Sequence, residues 1–283
     1  MKEHVSILIE SSKGLARVTL NRPDRRNAFD AGMIEEICEA FEALGQDRSV
    51  RTVLLTGTGS TFCAGADLRW LGVDRTVSAP EAQQDAERLL RMFRTIDECP
   101  CPVISRIQGA AFGGGIGLIA VCDIAVAAAD ATFALSEVRL GLVPAVIAPF
   151  LRRKTGESFM RRFCLTGESF SALTAREAGL VHDVVEPATL DCRVDELAKL
   201  ILHLAPQAVR DTKALLRRLQ YLPEEDQWKV CVEGNVGARL STEAQEGLRA
   251  FRERRPPVWE AAAGGDVRES CEGESYDAAA QRP

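Results

Sequence analysis

Histidine is scarce in this 283-residue chain, which has only His4, His182 and His203. Three dispersed histidines give little from which to build a zinc site, and the cysteines do not make up for them. The nine cysteines are scattered, and the tightest pair, Cys99 and Cys101, is a C-x-C with no second pair or histidine nearby. No metal is expected. The odd, unpatterned count also argues against a disulfide framework and predicts a reduced, cytoplasmic setting. No apolar run reaches the roughly 20 residues that span a bilayer, and Met1-Lys2-Glu3-His4 lacks the apolar core of a signal peptide. Positive charge is not in excess either. The net charge is −6, and the segment from Ala261 carries five acids against two arginines, leaving about −3 on the rest. That balance excludes a general nucleic-acid binder. There is no Gly-x-Ser-x-Gly from which a serine-hydrolase triad could start. No Gly-Lys-Ser/Thr follows a glycine run and no Gly-x-Gly-x-x-Gly opens a strand–helix unit, so neither type of phosphate loop is present.

Glycine, by contrast, is concentrated. The run Gln108-Gly109-Ala110-Ala111-Phe112-Gly113-Gly114-Gly115-Ile116-Gly117-Leu118 places three consecutive glycines in an apolar segment. Glycine costs about 1 kcal/mol relative to alanine inside a helix, so the triplet needs a reason. It either packs tightly in a turn or brings backbone N–H groups onto a ligand atom. At a helix start those N–H groups lack intrahelical partners and sit at the positive end of the dipole. A second small-residue segment, Phe62-Cys63-Ala64-Gly65-Ala66-Asp67-Leu68, follows the apolar strand Val53–Thr56 and precedes what reads as a helix. Two such segments can each offer one N–H to a single carbonyl oxygen. The glycines therefore point to carbonyl chemistry.

The rest of the chain up to about residue 185 alternates strands and helices, which predicts an α/β architecture with right-handed crossovers. Val5–Ile9 and Leu15–Leu20 read as a hairpin across Ser11–Gly14, and Ala31–Leu44 as a helix capped by Asp30. Further strands are expected at 102–107 and 123–127. The polar stretch Thr76–Gln84 has the composition of a mobile loop opening a helix. Beyond Asp191 the pattern is helical: Leu197–Leu204, Pro206–Leu219, Glu224–Ala238 and Thr242–Arg254, closed by Pro256-Pro257. We divide the chain into a core (1–190), a C-terminal helical region (191–260) and a disordered tail (261–283).

Glu137, in Ala134-Leu135-Ser136-Glu137-Val138-Arg139-Leu140, lies among apolar residues just beyond a strand. Such a carboxyl can have its pKa raised toward neutrality, which suits a general acid/base. The alternatives are an ion pair with Arg139 or a surface acid. Asp67 and Asp123 read as capping or turn residues, His182 as the start of a strand, and Cys63 as core packing.

With these segments laid out, the chain resembles the crotonase (enoyl-CoA hydratase/isomerase) superfamily. The matching segments, in order, are Leu20-Asn21-Arg22-Pro23, Asn27-Ala28-Phe29, Phe62 to Leu68, Gly113-Gly114-Gly115, Cys122-Asp123-Ile124 and Phe251-Arg252-Glu253-Arg254-Arg255-Pro256. The resemblance implies a ββα spiral with a C-terminal helical region, assembled as trimers or hexamers, and an acyl-CoA substrate with no separate cofactor. It implies that the N–H groups of Ala66 and Gly114 form the oxyanion hole, with Glu137 as acid/base. Arg25, Arg26, Ala64, Asp67, Leu68 and Arg69 fall where the family grips CoA, and Phe251 and Arg254 where a neighbouring subunit contributes.

The chain departs from the hydratase pattern at one position. Typical hydratases carry two glutamates, and the first of those positions is Gly117 here. A single glutamate fits a Δ3,Δ2-enoyl-CoA isomerase. A narrower likeness, Gly113 to Ala120 followed by Ser136 to Pro149, is to bacterial 3-methylglutaconyl-CoA hydratases of leucine/isovalerate catabolism and their isoprenoid-catabolic relatives. In that reading Gly117 and Ala145 line the acyl pocket. Gly117 spares a carboxylate-bearing substrate a repulsion of roughly 4 kcal/mol at 4 Å and makes room for its branch. A dehydratase of carrier-bound thioesters and a non-catalytic binding protein of the same fold are the remaining alternatives.

Overall fold

In the computed structural model the chain is described over residues 4–261. An N-terminal hairpin, β1 (Ile7–Ser12) and β2 (Leu15–Leu20), leads to helix α1 (Ala31–Gln46). Its apolar positions Met33, Ile34, Ile37, Cys38, Phe41 and Leu44 are buried, and the Asp30 side chain accepts the Met33 N–H at its start. Three similar turns of chain come next. Each gives one strand to a large sheet, one to a small sheet, and then proceeds to a helix: β3 (Thr52–Gly57), β4 (Thr61–Cys63) and α2 (Ala79–Asp97); β5 (Val103–Ile107), β6 (Ala110–Phe112) and α3 (Gly114–Val121); β7 (Ile124–Ala128), β8 (Thr132–Ala134) and α4 (Ala148–Thr166). Then come β9 (Ser169–Ser171), α5 (Ala172–Glu177) and β10 (Asp183–Val185). The C-terminal helices are α6 (Leu190–Leu202), α7 (Pro206–Leu219), α8 (Glu224–Leu240), α9 (Thr242–Glu253) and α10 (Val258–Ala261).

The large sheet has the order β1-β2-β3-β5-β7-β10 and the small one β4-β6-β8-β9. Apart from the hairpin and the β8–β9 pair, all pairings are parallel. This is the expected ββα spiral with a helical C-terminal region. β3 is buried along its whole length, as a central parallel strand covered on both faces should be.

Four local expectations need correction. The polar stretch from Thr76 is already helical at Ala79, because Ser78 and Glu81 form a capping box with Pro80 in the first turn. The segment after Ala66 is a series of turns without a helix. α6 begins at Leu190, seven residues before the expected Leu197, because Leu190, Val194, Ala198 and Leu202 make one buried i, i+4 stripe. Pro256-Pro257 is followed by the short α10. The tail beyond residue 261 lies outside the described residues.

Candidate active site

β4, β6 and β8 run side by side in parallel, so their C-terminal ends meet at one edge of the small sheet. Open parallel sheets place ligands at such ends. The segments that leave these strands are Ala64–Asp67, Gly113–Gly115 and Leu135–Glu137. The topology thus gathers the two small-residue segments and the isolated carboxyl.

The first segment is held by Asn27, a residue whose role the sequence pattern did not reveal. Asn27 is fully buried at φ 56°, and its Nδ2 donates to the carbonyls of Thr58 (2.9 Å), Thr61 (2.8 Å) and Phe62 (3.2 Å). Its Oδ1 accepts the Arg22 N–H at 3.0 Å. Next, the Ala64 N–H donates to the Arg26 carbonyl, Phe29 N–H to Gly65, and Asp67 N–H to Phe29, each at 2.9 Å. In this parallel bridge the residues flanking Ala66 bond to Phe29, so the Ala66 N–H points the other way. Asp67 takes the turn role foreseen for it: Oδ1 accepts the Arg69 N–H at 3.0 Å and Oδ2 pairs with Arg22 at 3.2 Å.

The second segment explains its glycines one by one. Gly113 has φ 48° and donates to the Ala134 carbonyl at 2.9 Å. A Cβ on Gly114 would lie 2.5 Å from Phe29 Cζ, and one on Gly115 would lie 2.3 Å from the Cys63 carbonyl oxygen. Gly65 closes the gap from the other side, since a Cβ there would lie 3.1 Å from the Gly114 nitrogen. As the first residue of α3, Gly114 presents an N–H with no intrahelical acceptor at the positive helix end. Two amides from adjoining loops are thereby left without a partner among the described residues, and such a pair can hold a developing oxyanion.

The third segment carries Glu137 on a short 3-10 turn, Glu137–Leu140. Its Oε1 would lie 3.0 Å from a Cβ on Gly113, so the carboxyl rests against the glycine turn. Oε2 is buried and has no hydrogen-bond partner among the described residues. Burial raises its pKa, opposed only by its own backbone N–H. The alternative of an ion pair with Arg139 is not realised, because Arg139 is exposed and no pair links the two. Cys164 on α4 is a neighbour that no sequence signal marked. Burial, and the nearby Glu137 charge, push its thiol up.

Gly117 corrects an expectation. It is buried one helical turn after Gly114, and a Cβ there would meet Ile147 Cγ2 at 2.4 Å and the Phe93 ring at 2.9 Å. Protein fills this space, so the glycine leaves no room for a substrate's branch. Ala145, on the loop before α4, is exposed.

Arg25, Arg26, Leu68 and Arg69 are exposed beside the first segment, whereas Ala64 and Asp67 are partly buried within it. Phe251 (82% exposed) and Arg254 lie on and just after α9, and nothing among the described residues brings them to Glu137 within one chain. Cys63 is buried, donates to the Asn27 carbonyl at 3.1 Å, and has its thiol pushed up to about 12 by burial. Asp123 accepts the Val103 N–H and Lys213. His182 pairs through backbone and ring with Ala125, next to β10. None of these three joins the site. No group of potential metal ligands occurs among the described residues.

Comparison with known proteins bears on the family and the fold. The family model described as enoyl-CoA hydratase/isomerase matches residues 10–275. The enoyl-CoA hydratase AKT6-1 of Alternaria alternata is 35% identical over 256 residues, 88% of this chain and 82% of that protein. The 1,2-epoxyphenylacetyl-CoA isomerase of Escherichia coli is 33% identical over 260 residues, 89% of this chain and 97% of that one. Among solved structures, an enoyl-CoA hydratase from Shewanella pealeana superimposes with a TM-score of 0.86 at 37% identity, covering 91% of this chain and 97% of its own.

Proposed function

The chain belongs to the enoyl-CoA hydratase/isomerase family, and within it we propose a hydratase/dehydratase that works with one carboxylate, Glu137. The observation that carries this reading is the buried, unpartnered Glu137 Oε2 at the edge where the two free amides meet. A carboxyl with a raised pKa exchanges protons readily near neutrality. Glu137 takes a proton from water as the water oxygen bonds to C3 of the enoyl thioester. The electron pair moves onto the thioester oxygen, held by the Ala66 and Gly114 N–H groups. Glu137 then returns the proton to C2 and the carbonyl re-forms. Losing one such amide costs about 3 kcal/mol of transition-state stabilisation.

The substrate we propose is a branched, glutaconyl-type enoyl-CoA, placing the reaction in leucine/isovalerate-type catabolism. In support, position 117 carries no second carboxylate to repel the substrate's own. Arg25, Arg26 and Arg69, exposed beside the first segment, would meet the CoA end, with no further cofactor. A homotrimer or hexamer completes the proposal. It is supported by the apolar stripe Trp228, Val232, Val236 and Leu240, exposed at i, i+4 spacing along α8. No helix among the described residues is long and apolar enough to cross a membrane. The seven free cysteines among the described residues support the cytoplasmic part of the assignment, whereas Cys192, contrary to the expectation of no disulfide, is disulfide-bonded.

One observation favours isomerisation instead. Ile147 and Phe93 fill the place a side chain at position 117 would take with apolar groups, and a single carboxylate moving a proton from C4 to C2 needs no water. Incubation with 3-methylglutaconyl-CoA and with a 3-enoyl-CoA, read by mass spectrometry, separates the two. A water adduct on the first supports the hydratase, and bond migration without any adduct overturns it.

A further inference from the structure

Helix α3 links the glycine turn to the opposite side of the protein. It is apolar and buried, and its eight residues span about 12 Å. Its last carbonyls carry the negative end of the dipole, and that of Ile119 also accepts the Cys122 N–H at 3.2 Å. An ammonium reaches this end. Lys154 Nζ, reaching from α4, donates to the carbonyl of Cys122 at 2.5 Å and to that of Ile119 at 3.4 Å. The next residue, Asp123, is fixed by the Val103 N–H at 2.7 Å and by Lys213 Nζ of α7 at 2.6 Å. A cavity of about 270 Å³ opens between these groups.

We propose that Lys154 is a positioning residue for the oxyanion hole: its ammonium holds the C-terminal end of α3 and, through that helix, sets the Gly114 amide. The proposal rests on the reading of Gly114 as an oxyanion donor. The same charge, in a protein interior one helix length from the thioester oxygen, also favours the enolate directly. Neither effect survives loss of the charge, although an uncharged side chain of equal length would still fill the space.

This dependence on charge gives a pH signature. The groups facing the ammonium are Asp97 from α2, Cys122 and Asp123 from the end of α3, Arg153 from its own helix, Lys213 and Arg217 from α7, and His182 before β10. Burial lowers the Lys154 pKa, and Arg153 adds to this, against Cys122, Asp123 and Asp97. A rising pH therefore removes the charge earlier than for an ordinary lysine, and turnover falls on the alkaline side as it goes.

The experiment compares Lys154→Met, Lys154→Arg and Glu137→Gln in the full chain, with kcat and KM measured across pH. Lys154→Met is expected to lower kcat about tenfold at a nearly unchanged KM and to abolish the alkaline fall. Lys154→Arg, which keeps its charge, is expected to retain most of kcat and to move the alkaline fall to higher pH. That comparison stands alone if the methionine variant does not fold. An unchanged kcat with only a lower melting temperature in Lys154→Met, or a wild-type alkaline limb in Lys154→Arg, overturns the positioning role while an inactive Glu137→Gln leaves the site assignment standing. An active Glu137→Gln overturns that assignment and this proposal with it.

Discussion

Each turn of the chain gives one strand to the six-stranded sheet and one to the four-stranded sheet, and the two kinds of strand differ in length and in the segments they lead into. In the large sheet β3, β5 and β7 have five or six residues, rich in Val, Ile, Leu and Ala, and lie almost wholly in the core. In the small sheet β4, β6 and β8 have three residues each. They deliver at once into loops where a glycine, an alanine or a carboxyl must be placed. Strand length thus separates two tasks: the long strands supply buried area, and the short ones aim backbone groups at one point. Changes in the small sheet's loops should register in turnover, and changes in the large sheet in stability.

The sharpest test is Glu137→Gln. Removing a positioned acid/base is expected to lower kcat/KM by about 10²–10⁴-fold, measured by steady-state kinetics. Stability should move the other way at neutral pH. The folded-state pKa is raised by burial, so protonated Glu137 favours the fold at low pH, and that contribution is lost as pH rises through the folded pKa. The uncharged glutamine escapes this loss, so its urea midpoint should match or exceed the parent's at pH 7 and change less between pH 5 and 8. Activity within a few-fold of the parent would remove Glu137 from the mechanism.

Leu55→Ala in β3 supplies the opposite arm. Leu55 is fully buried in the large sheet, so truncation should cost about 2–5 kcal/mol of folding stability. The kcat of the folded fraction should hold. A large loss of kcat per folded molecule would break the division between the sheets. Gly117→Ala comes next in size. Its Cβ would press on Ile147 Cγ2 and the Phe93 ring, an overpacking expected to cost about 1–3 kcal/mol, with Ile147→Ala in the same chain recovering part of it. Gly117→Ala at parental stability would mean that the space is open after all.

The two sheets also differ in how far the sequence announces them. The hairpin, α1 with its Asp30 cap, and the apolar runs of β3, β5 and β7 have enough residues for their patterns to be read. The glycine triplet and Glu137 are legible too, because each breaks the pattern around it. A three-residue strand such as Thr61–Cys63 or Thr132–Ala134 offers no period to detect, and its place is fixed only by pairing with neighbours far along the chain. The same holds for Asn27, whose three carbonyl partners lie more than 30 residues away, and for Cys164 beside Glu137. Gly117 misled for another reason. The missing side chain is visible in the sequence, but Ile147 and Phe93, which fill its place, come from two other helices or their caps.

The smallest expected effect tests whether a side chain close to the hole must take part in it. Cys63 ends β4, three residues before Ala66, where a nucleophile would be at hand. Its surroundings argue otherwise: its thiol donates to the Asn27 carbonyl, its sulfur accepts the Gly65 N–H at 3.4 Å, and burial pushes its pKa up to about 12. At about pH 8 the thiolate fraction is then of order 10⁻⁴, and the thiolate is the reactive form. Cys63→Ala is therefore expected to keep kcat within about threefold, at a stability cost of about 1 kcal/mol from lost packing and one hydrogen bond. Iodoacetamide should label Cys63 in the urea-unfolded chain and spare it in the native one, as read by peptide mass spectrometry. Rapid native labelling accompanied by loss of turnover would show that the end of β4 is open to solvent. The backbone alone would then not be what this sheet aims at the substrate.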